Sequence, residues 1–297
     1  MTYSIVARDA ETGQMGVAVQ SHYFSVGSVV PWAEAGVGAI ATQAQAEVDY
    51  GPVGLGLLRA GKPAERVLAA LTASDPGYEH RQAAVLDANG GVSAHTGARC
   101  IAEAGHHLAD GASAQGNMLE RATAWGAMVE AFTSTGGPLV DRLLAALDAA
   151  EAEGGDARGR QSAAVVVVSG TRTGRLAIDR PIELRVEDHP DPLTELRRLV
   201  GLHRLYERIS AALGRLTAGE VQDGYAELEQ LHRDTPDQHE LAFWFGTVTG
   251  LRGDIEGARR VLDPLYAANP RWRLTMRNAV AAGVLPMSES VLDQLTA

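Results

Sequence analysis

The order in which strand-type and helix-type segments follow one another constrains this chain more than any single motif. Residues 3–7 and 15–19 are short β-prone runs on either side of the turn chemistry at 9–13, which is the pattern of a hairpin. Residues 25–31 and 37–43 continue in the same style, so four successive strands of one antiparallel sheet are expected. From residue 51 the period becomes helical: Leu55, Leu58, Val67, Leu68 and Leu71 form apolar stripes, broken at Gly61-Lys62-Pro63 and ended near Asp75-Pro76-Gly77. Residues 82–86 and 92–96 flank Asn89-Gly90, a strong hairpin signal, and residues 118–132 and 139–150 read as two more helices. Residues 162–169, with four consecutive valines at 165–168, and residues 175–178 then read as buried closing strands. Strands, helices, strands, helices, strands is the order expected of an α+β domain with two antiparallel sheets between helical layers, a four-layer α-β-β-α sandwich.

A chain of 297 residues exceeds what one hydrophobic core usually serves. The proline-interrupted stretch Asp188-His189-Pro190-Asp191-Pro192 marks the boundary, giving expected domains at 1–190 and 195–297. The second is helical throughout. Gly219-Glu220 through Pro236 aligns without gaps on Gly253-Asp254 through Pro270, a period of 34 residues, and that is the tetratricopeptide period. Leu228 and Leu231 in one copy, and Leu262 and Leu265 in the next, supply the inward stripe; Trp244 lies on the partner helix between them. A coincidentally spaced helical bundle is the plain alternative.

Charge and composition exclude several functions. A net charge of -11 and a pI near 5.3 repel a phosphate backbone, and Arg197, Arg198, Arg204 and Arg208 read as a solvated helix face, so no nucleic-acid partner is expected. Cys100 is the single cysteine, which rules out an intrachain disulfide and reads as a buried small hydrophobe. No run of 18 apolar residues and no basic, apolar leader stands in the sequence, so a cytoplasmic protein without membrane contact is expected. GxSxG, HExxH and Walker motifs are absent. His106 and His107 are adjacent on a strand and point to opposite faces, and neither a metal nor a cofactor is expected.

The remaining chemistry is at the chain start. Thr2 follows Met1 directly, and a small second residue is what methionine removal requires. A mature chain beginning at Thr2 holds a hydroxyl beside a free α-amine, whose ordinary pKa of roughly 7.7 to 8.0 leaves part of it neutral near pH 7 and able to accept the hydroxyl proton. One residue then supplies nucleophile and base. Ser4 faces the same side and is the fallback only if a longer segment is removed, and a plain polar residue on a first strand is the bland reading of Thr2.

Residues 3–9 (Tyr-Ser-Ile-Val-Ala-Arg-Asp), Gly16-Val17-Ala18-Val19, Val30-Pro31-Trp32, Ala41-Thr42-Gln43-Ala44, Arg81-Gln82, Gln115-Gly116-Asn117 and Gly154-Gly155-Asp156 with Arg158-Gly159 together resemble the N-terminal-nucleophile (Ntn) hydrolase-like family catalogued as domain of unknown function 1028. The likeness covers residues 2 to about 180. The tail looks like a module often attached to that family and labelled peptidoglycan-binding, although its own residues argue for a tetratricopeptide-like fold. The resemblance implies an Ntn-type sandwich and an amidohydrolase acting on a small amide or peptide-like substrate. Within it, Thr2 is nucleophile and base, Ser21 holds the amine, Gly116 and Asn117 are oxyanion donors, and Asp156 and Arg158 orient substrate or amine. The alternatives stand beside these: a helix N-cap for Asn117, a structural ion pair for Asp156 and Arg158, backbone satisfaction for Ser21. A non-catalytic scaffold whose helical repeat binds a protein or peptide is the competing function, and a homodimer is the expected assembly.

Overall fold

The first strand, β1 (Thr2–Arg8), turns at Gly13 into β2 (Met15–Ser21), with Tyr3 opposite Gln20 and Arg8 opposite Met15. The computed structural model describes residues 2–297. After β2 come β3 (Pro31–Glu34), β4 (Gly38–Ala44), helices α1 (Tyr50–Arg59) and α2 (Ala64–Ser74), then β5 (Arg81–Asp87), β6 (Val92–Thr96), β7 (Gly105–Ala109) and β8 (Ala112–Asn117). Helices α3 (Ala124–Ser134) and α4 (Leu139–Ala152) precede β9 (Ser162–Val168), the short α5 (Leu176–Asp179) and β10 (Ile182–Val186). Helix α6 (Pro192–Thr217) follows, then α7 (Val221–Asp234), α8 (His239–Leu251), α9 (Ile255–Ala268), α10 (Arg271–Ala281) and α11 (Glu289–Thr296). No helix among the described residues is long and apolar enough to cross a membrane.

Two antiparallel sheets form, of order β10-β9-β2-β1-β8-β7 and β3-β4-β5-β6. The side-chain period of two divides each strand between two environments. On β1, Tyr3, Ile5 and Ala7 join Met128, Phe132 and Leu143 under α3 and α4, whereas Val6 meets Ala39, Ala41, Ala84 and Leu86 of the other sheet. On the far side Ile40, Ala83 and Val85 pack on Leu55, Val67 and Leu71 of α1 and α2. The layers therefore run helix pair, sheet, sheet, helix pair.

The expected single four-stranded sheet is not what forms: β1 and β2 belong to the six-stranded sheet, β3 and β4 to the four-stranded one. Both edges of β2 are occupied, by β1 and by β9, so a third consecutive strand has no edge to join. The chain leaves β2 through a 3-10 turn at Val26–Ser28 with Ser25 in the left-handed region (φ 57°), where residues 25–31 had read as a strand. Residues 118–132 had read as one helix, but Met118 is left-handed and Leu119 bridges to Asp156, so α3 begins only at Ala124. Residues 175–178 are not a strand either. The Asp179 carboxylate accepts from Thr173 N (2.7 Å) and Gly174 N (2.9 Å), closing a turn that leaves Leu176 exposed, and β10 takes the edge of β9 instead.

The chain divides into two compact units at Val200 and Gly201. The break falls inside α6 and not in the proline-bearing stretch at 188–192, since Pro192 is tolerated in a helix's first turn. Leu193, Leu196 and Val200 are buried with the α3–α4 core of the first unit. In the second unit, Ile209, Ala212, Leu228, Leu231, Leu241 and Phe245 form one apolar cluster and Phe243, Leu262, Tyr266, Met276 and Leu295 another. Helices α7 and α9 begin 34 residues apart, each two residues after a glycine at positive φ, Gly219 (90°) and Gly253 (94°). Trp244 is half-buried between the clusters, while Phe243 is sealed against Trp272 at 5.0 Å between ring centroids. Phe243→Ala is expected to cost about 3–5 kcal/mol, and Trp244→Ala less, read from hydrogen-exchange protection of α8 and α9 in the full chain.

At the start of β5, Arg81 Nε donates to Asp75 Oδ2 (2.8 Å), to which Tyr50 also donates (3.0 Å), and Gly77 N donates to Asp75 Oδ1 (2.7 Å). The guanidinium above all holds the Asp75 carboxyl at about 2, and burial first, then the same carboxylate, raises the Tyr50 phenol. A carboxyl whose pKa is lower in the folded than in the unfolded chain stabilises fully above its unfolded value, roughly 3.9, and loses that contribution as pH falls towards 2. Asp75→Asn is therefore expected to lower stability at pH 7 and to match the parent progressively between about pH 4 and pH 2 in urea titrations; a gap independent of pH would show that the ion pair is not its source.

Candidate active site

The layer between the two sheets changes character along its length. At one end it is Val6, Met15, Val17, Ala84, Leu86 and Val168; at the other the same alternation brings in Ser4, Gln43, Gln82, Gln115 and Asn117, all 2 % exposed or less. These groups satisfy one another. Gln115 Nε2 donates to Ser4 Oγ (2.7 Å), Ser4 Oγ to Gln43 Oε1 (2.7 Å), and Gln43 Nε2 to Gln82 Oε1 (2.8 Å). Asn117 Nδ2 donates to the same Gln82 oxygen (2.9 Å), and Gln82 Nε2 donates to the Gly116 carbonyl (2.7 Å). A buried amide network of this kind is rigid when complete and costly when broken.

Thr2 lies at the open edge of this polar end. Its hydroxyl shares a 3.0 Å hydrogen bond with that of Ser21, the last residue of β2, and its carbonyl accepts from Gln43 Nε2 at 3.4 Å. Thr2 is 7 % exposed and, with Gln43, lines a cleft of about 290 Å³ whose other walls are apolar. One wall is the segment after β2, held by Ser162: its hydroxyl donates to the Tyr23 carbonyl and accepts from Val26 N (3.0 Å). The opposite wall begins at Ala44, left-handed at φ 69° where β4 ends.

The residues marked in the sequence fall into three groups. Ser21 touches Thr2, and Asn117 is its direct cross-strand partner on β8, on the same interior face, so their Cβ atoms are neighbours across the ladder. Asn117 is no helix cap, being the last residue of a strand seven positions before α3. Asp156 and Arg158 form an ion pair (3.2 Å), and Asp156, 4 % exposed, also accepts from His22 N (2.8 Å), clamping the backbone just beyond Ser21. Gly116 is placed differently. It is buried in the ladder between Tyr3 and Gly105, and a Cβ there would meet Leu119 Cδ1 at 2.4 Å, so its bareness serves packing. Ser4, the fallback nucleophile, is wholly buried and engaged on both sides by Gln43 and Gln115.

Sequence reasoning assigned no role to Gln43 or Gln82, though both stood in the motifs that carried the resemblance. The signal available was a polar residue at the inward position of an otherwise Ala-and-Val strand, Ala39, Ala41, Gln43 on β4 and Gln82, Ala84, Leu86 on β5. A larger cleft of about 630 Å³ opens at the opposite end of the strands beside Glu34, Arg59, Arg172 and Arg180; Arg59 and Arg172 pair with Glu34, Arg180 pairs with Glu183, and among the described lining residues there is no hydroxyl or thiol nucleophile.

The model of a family of unknown function, DUF1028, matches residues 2–196. Among solved structures, protein SPO2555 from Silicibacter pomeroyi, described under the same family model, is similar with a TM-score of 0.61 and 34 % sequence identity, over 67 % of this chain and 88 % of that one. No curated protein matches.

Replacing the shared acceptor tests the network. Gln82→Leu leaves Gln43 and Asn117 with buried N–H groups facing hydrocarbon and is expected to cost roughly 2–4 kcal/mol in urea unfolding; an unchanged midpoint would show that the network adds nothing to stability.

Proposed function

The chain belongs to the DUF1028 family, and from the geometry around its first strand we propose that it hydrolyses an amide bond by the Ntn mechanism, with Thr2 as nucleophile once Met1 is removed. The observation that carries the reading is that Thr2 is at once the opening residue of the central strand β1, a wall of a cleft and the hydroxyl partner of Ser21. The layer order of the first unit supports it, because an Ntn-type sandwich is built of the same four layers.

In this mechanism the freed α-amine of Thr2 takes the Oγ1 proton as the oxygen attacks the substrate carbonyl. The carbon–nitrogen bond breaks as that proton passes to the departing amine, and water then attacks the threonine ester, releasing the acid and restoring Thr2. Ser21 positions the Thr2 hydroxyl. Asn117 spends one N–H on Gln82 and has a second for the developing oxyanion. Asp156, through His22, fixes the strand end that carries Ser21, and Arg158 is bound to it as a positioning pair. We assign Gly116 to packing of Leu119 and not to the oxyanion.

For the second unit, the 34-residue recurrence of α7 and α9 supports a tetratricopeptide-like reading, with a protein or peptide segment as its ligand.

Intact-mass measurement of the native protein is expected to give a chain beginning at Thr2. In a screen of simple anilides, Thr2→Ala should lose activity by roughly 10³-fold or more while Thr2→Ser keeps a measurable part, and the rate should fall as pH drops through about 7.7–8.0 and the amine becomes protonated. Retained Met1, or undiminished turnover by Thr2→Ala, excludes the mechanism.

A further inference from the structure

The cleft against Thr2 has a definite chemical character. Val26, Val29, Val30, Ala44, Ala46 and Val48 line it, and beyond Thr2 itself the polar groups among the described lining residues are the carboxamide of Gln43 and the phenol of Tyr23, both uncharged. Among the described residues, no guanidinium, lysine ammonium or imidazole side chain lines it. Its mouth is apolar as well, with Tyr23 56 % and Val48 39 % exposed. The residues on either side of Val48 are Glu47, which pairs with Arg81 (3.5 Å), and Asp49. Gln43, whose carboxamide is already bound to Ser4 and Gln82, contributes shape and has no charge to offer a ligand.

A carboxylate or phosphate moved into such a space would lose its water and find no ionic side chain in the lining; pairing with the Thr2 α-amine would hold that amine protonated and remove the base, so its burial is costly and unproductive. A hydrocarbon group gains with each methylene it buries, by a factor of roughly three to four in binding. The volume, about 290 Å³, is at the small end for ligand sites, too small for a long lipid chain. Resting on the assignment of Thr2 as nucleophile, we infer that this cleft is the acyl subsite, and that the enzyme takes amides of uncharged aliphatic acids of short to medium or branched chain and rejects acyl groups bearing a carboxylate.

Ligand binding separates this inference from the mechanism on which it rests. With the full-length protein and its Thr2→Ala variant, the probes are acetamide, butyramide, isovaleramide and the carboxylated amide succinamate, titrated calorimetrically or by amide chemical shifts. Affinity is expected to rise roughly three- to fourfold per added methylene from acetamide to butyramide, and isovaleramide to bind at least tenfold more tightly than succinamate, in both proteins. Val48→Lys, at the exposed rim where the fold tolerates it, should narrow the gap by improving succinamate; its folding is checked by the unchanged melting temperature. Equal or tighter binding of succinamate, or no binding of isovaleramide at millimolar concentration, overturns the inference. Hydrolysis that survives in Thr2→Ala while isovaleramide remains the preferred ligand removes the Ntn mechanism and leaves the subsite; hydrolysis that vanishes in Thr2→Ala while succinyl amides are preferred does the reverse.

Discussion

The carboxamide of Gln82 ties the two sheets together at the end where Thr2 lies. It stands on β5 of the four-stranded sheet, yet its oxygen accepts from Asn117 on β8 of the six-stranded sheet and its nitrogen donates to the Gly116 carbonyl beside it. An amide buried between sheets is tolerable only because each of its donors and acceptors is used. Gln43, Ser4 and Gln115 continue the same pattern, so the polar end of the inter-sheet layer is a connected unit and not a set of separate defects in a core. The consequence is a stiff floor beneath Thr2 in a place where apolar packing alone would allow adjustment.

The other face of β1 is held with comparable firmness. Tyr3, one residue along and pointing the opposite way, donates its phenol to Glu151 of α4, and Arg160 pairs with the same carboxylate. Burial first, and the neighbouring carboxylate second, push the Tyr3 hydroxyl well above its ordinary value and keep it a donor. The strand start is thus pinned from the helix side through Tyr3 and from the sheet side through Ser21 and Gln43, and a hydroxyl at Thr2 has little freedom to wander. Pre-positioning of this sort suits the nucleophile role proposed for Thr2, since misplacement by about an ångström is costly in rate.

The second unit rests on simpler physics. Its two apolar clusters meet at α8, where Phe243 and Phe245 point to opposite sides, and the glycines at positive φ set the turns that make α7 and α9 recur. Nothing in it resembles the buried amide network of the first unit, and its sequence period announced it because each helix packs mainly on its sequence neighbours.

Much of the first unit was legible from local pattern: the β1–β2 hairpin, the α1–α2 pair broken at Gly61-Lys62-Pro63, the Asn89-Gly90 turn, and the buried valines of β9. Strand β8 was not, because Ala112-Ser113-Ala114-Gln115 lacks the β-branched residues that mark a strand, and of β7 only His106-His107 had been set on a strand, without bounds or a partner; the Asp110-Gly111 turn between them, with Gly111 at φ 64°, carried the available hairpin signal. The sequence by itself determined which segments alternate, which face of each strand is apolar, and that a threonine stands at position 2. Only the tertiary structure decided that β8 and β9, drawn from far along the chain, would flank the hairpin, that Ser21 and Asn117 would therefore meet Thr2, and that the glutamines would close into one network. The reason is that strand pairing is an edge-to-edge choice made between distant segments: the period of two reveals what each strand can bury, and not which neighbour it will find.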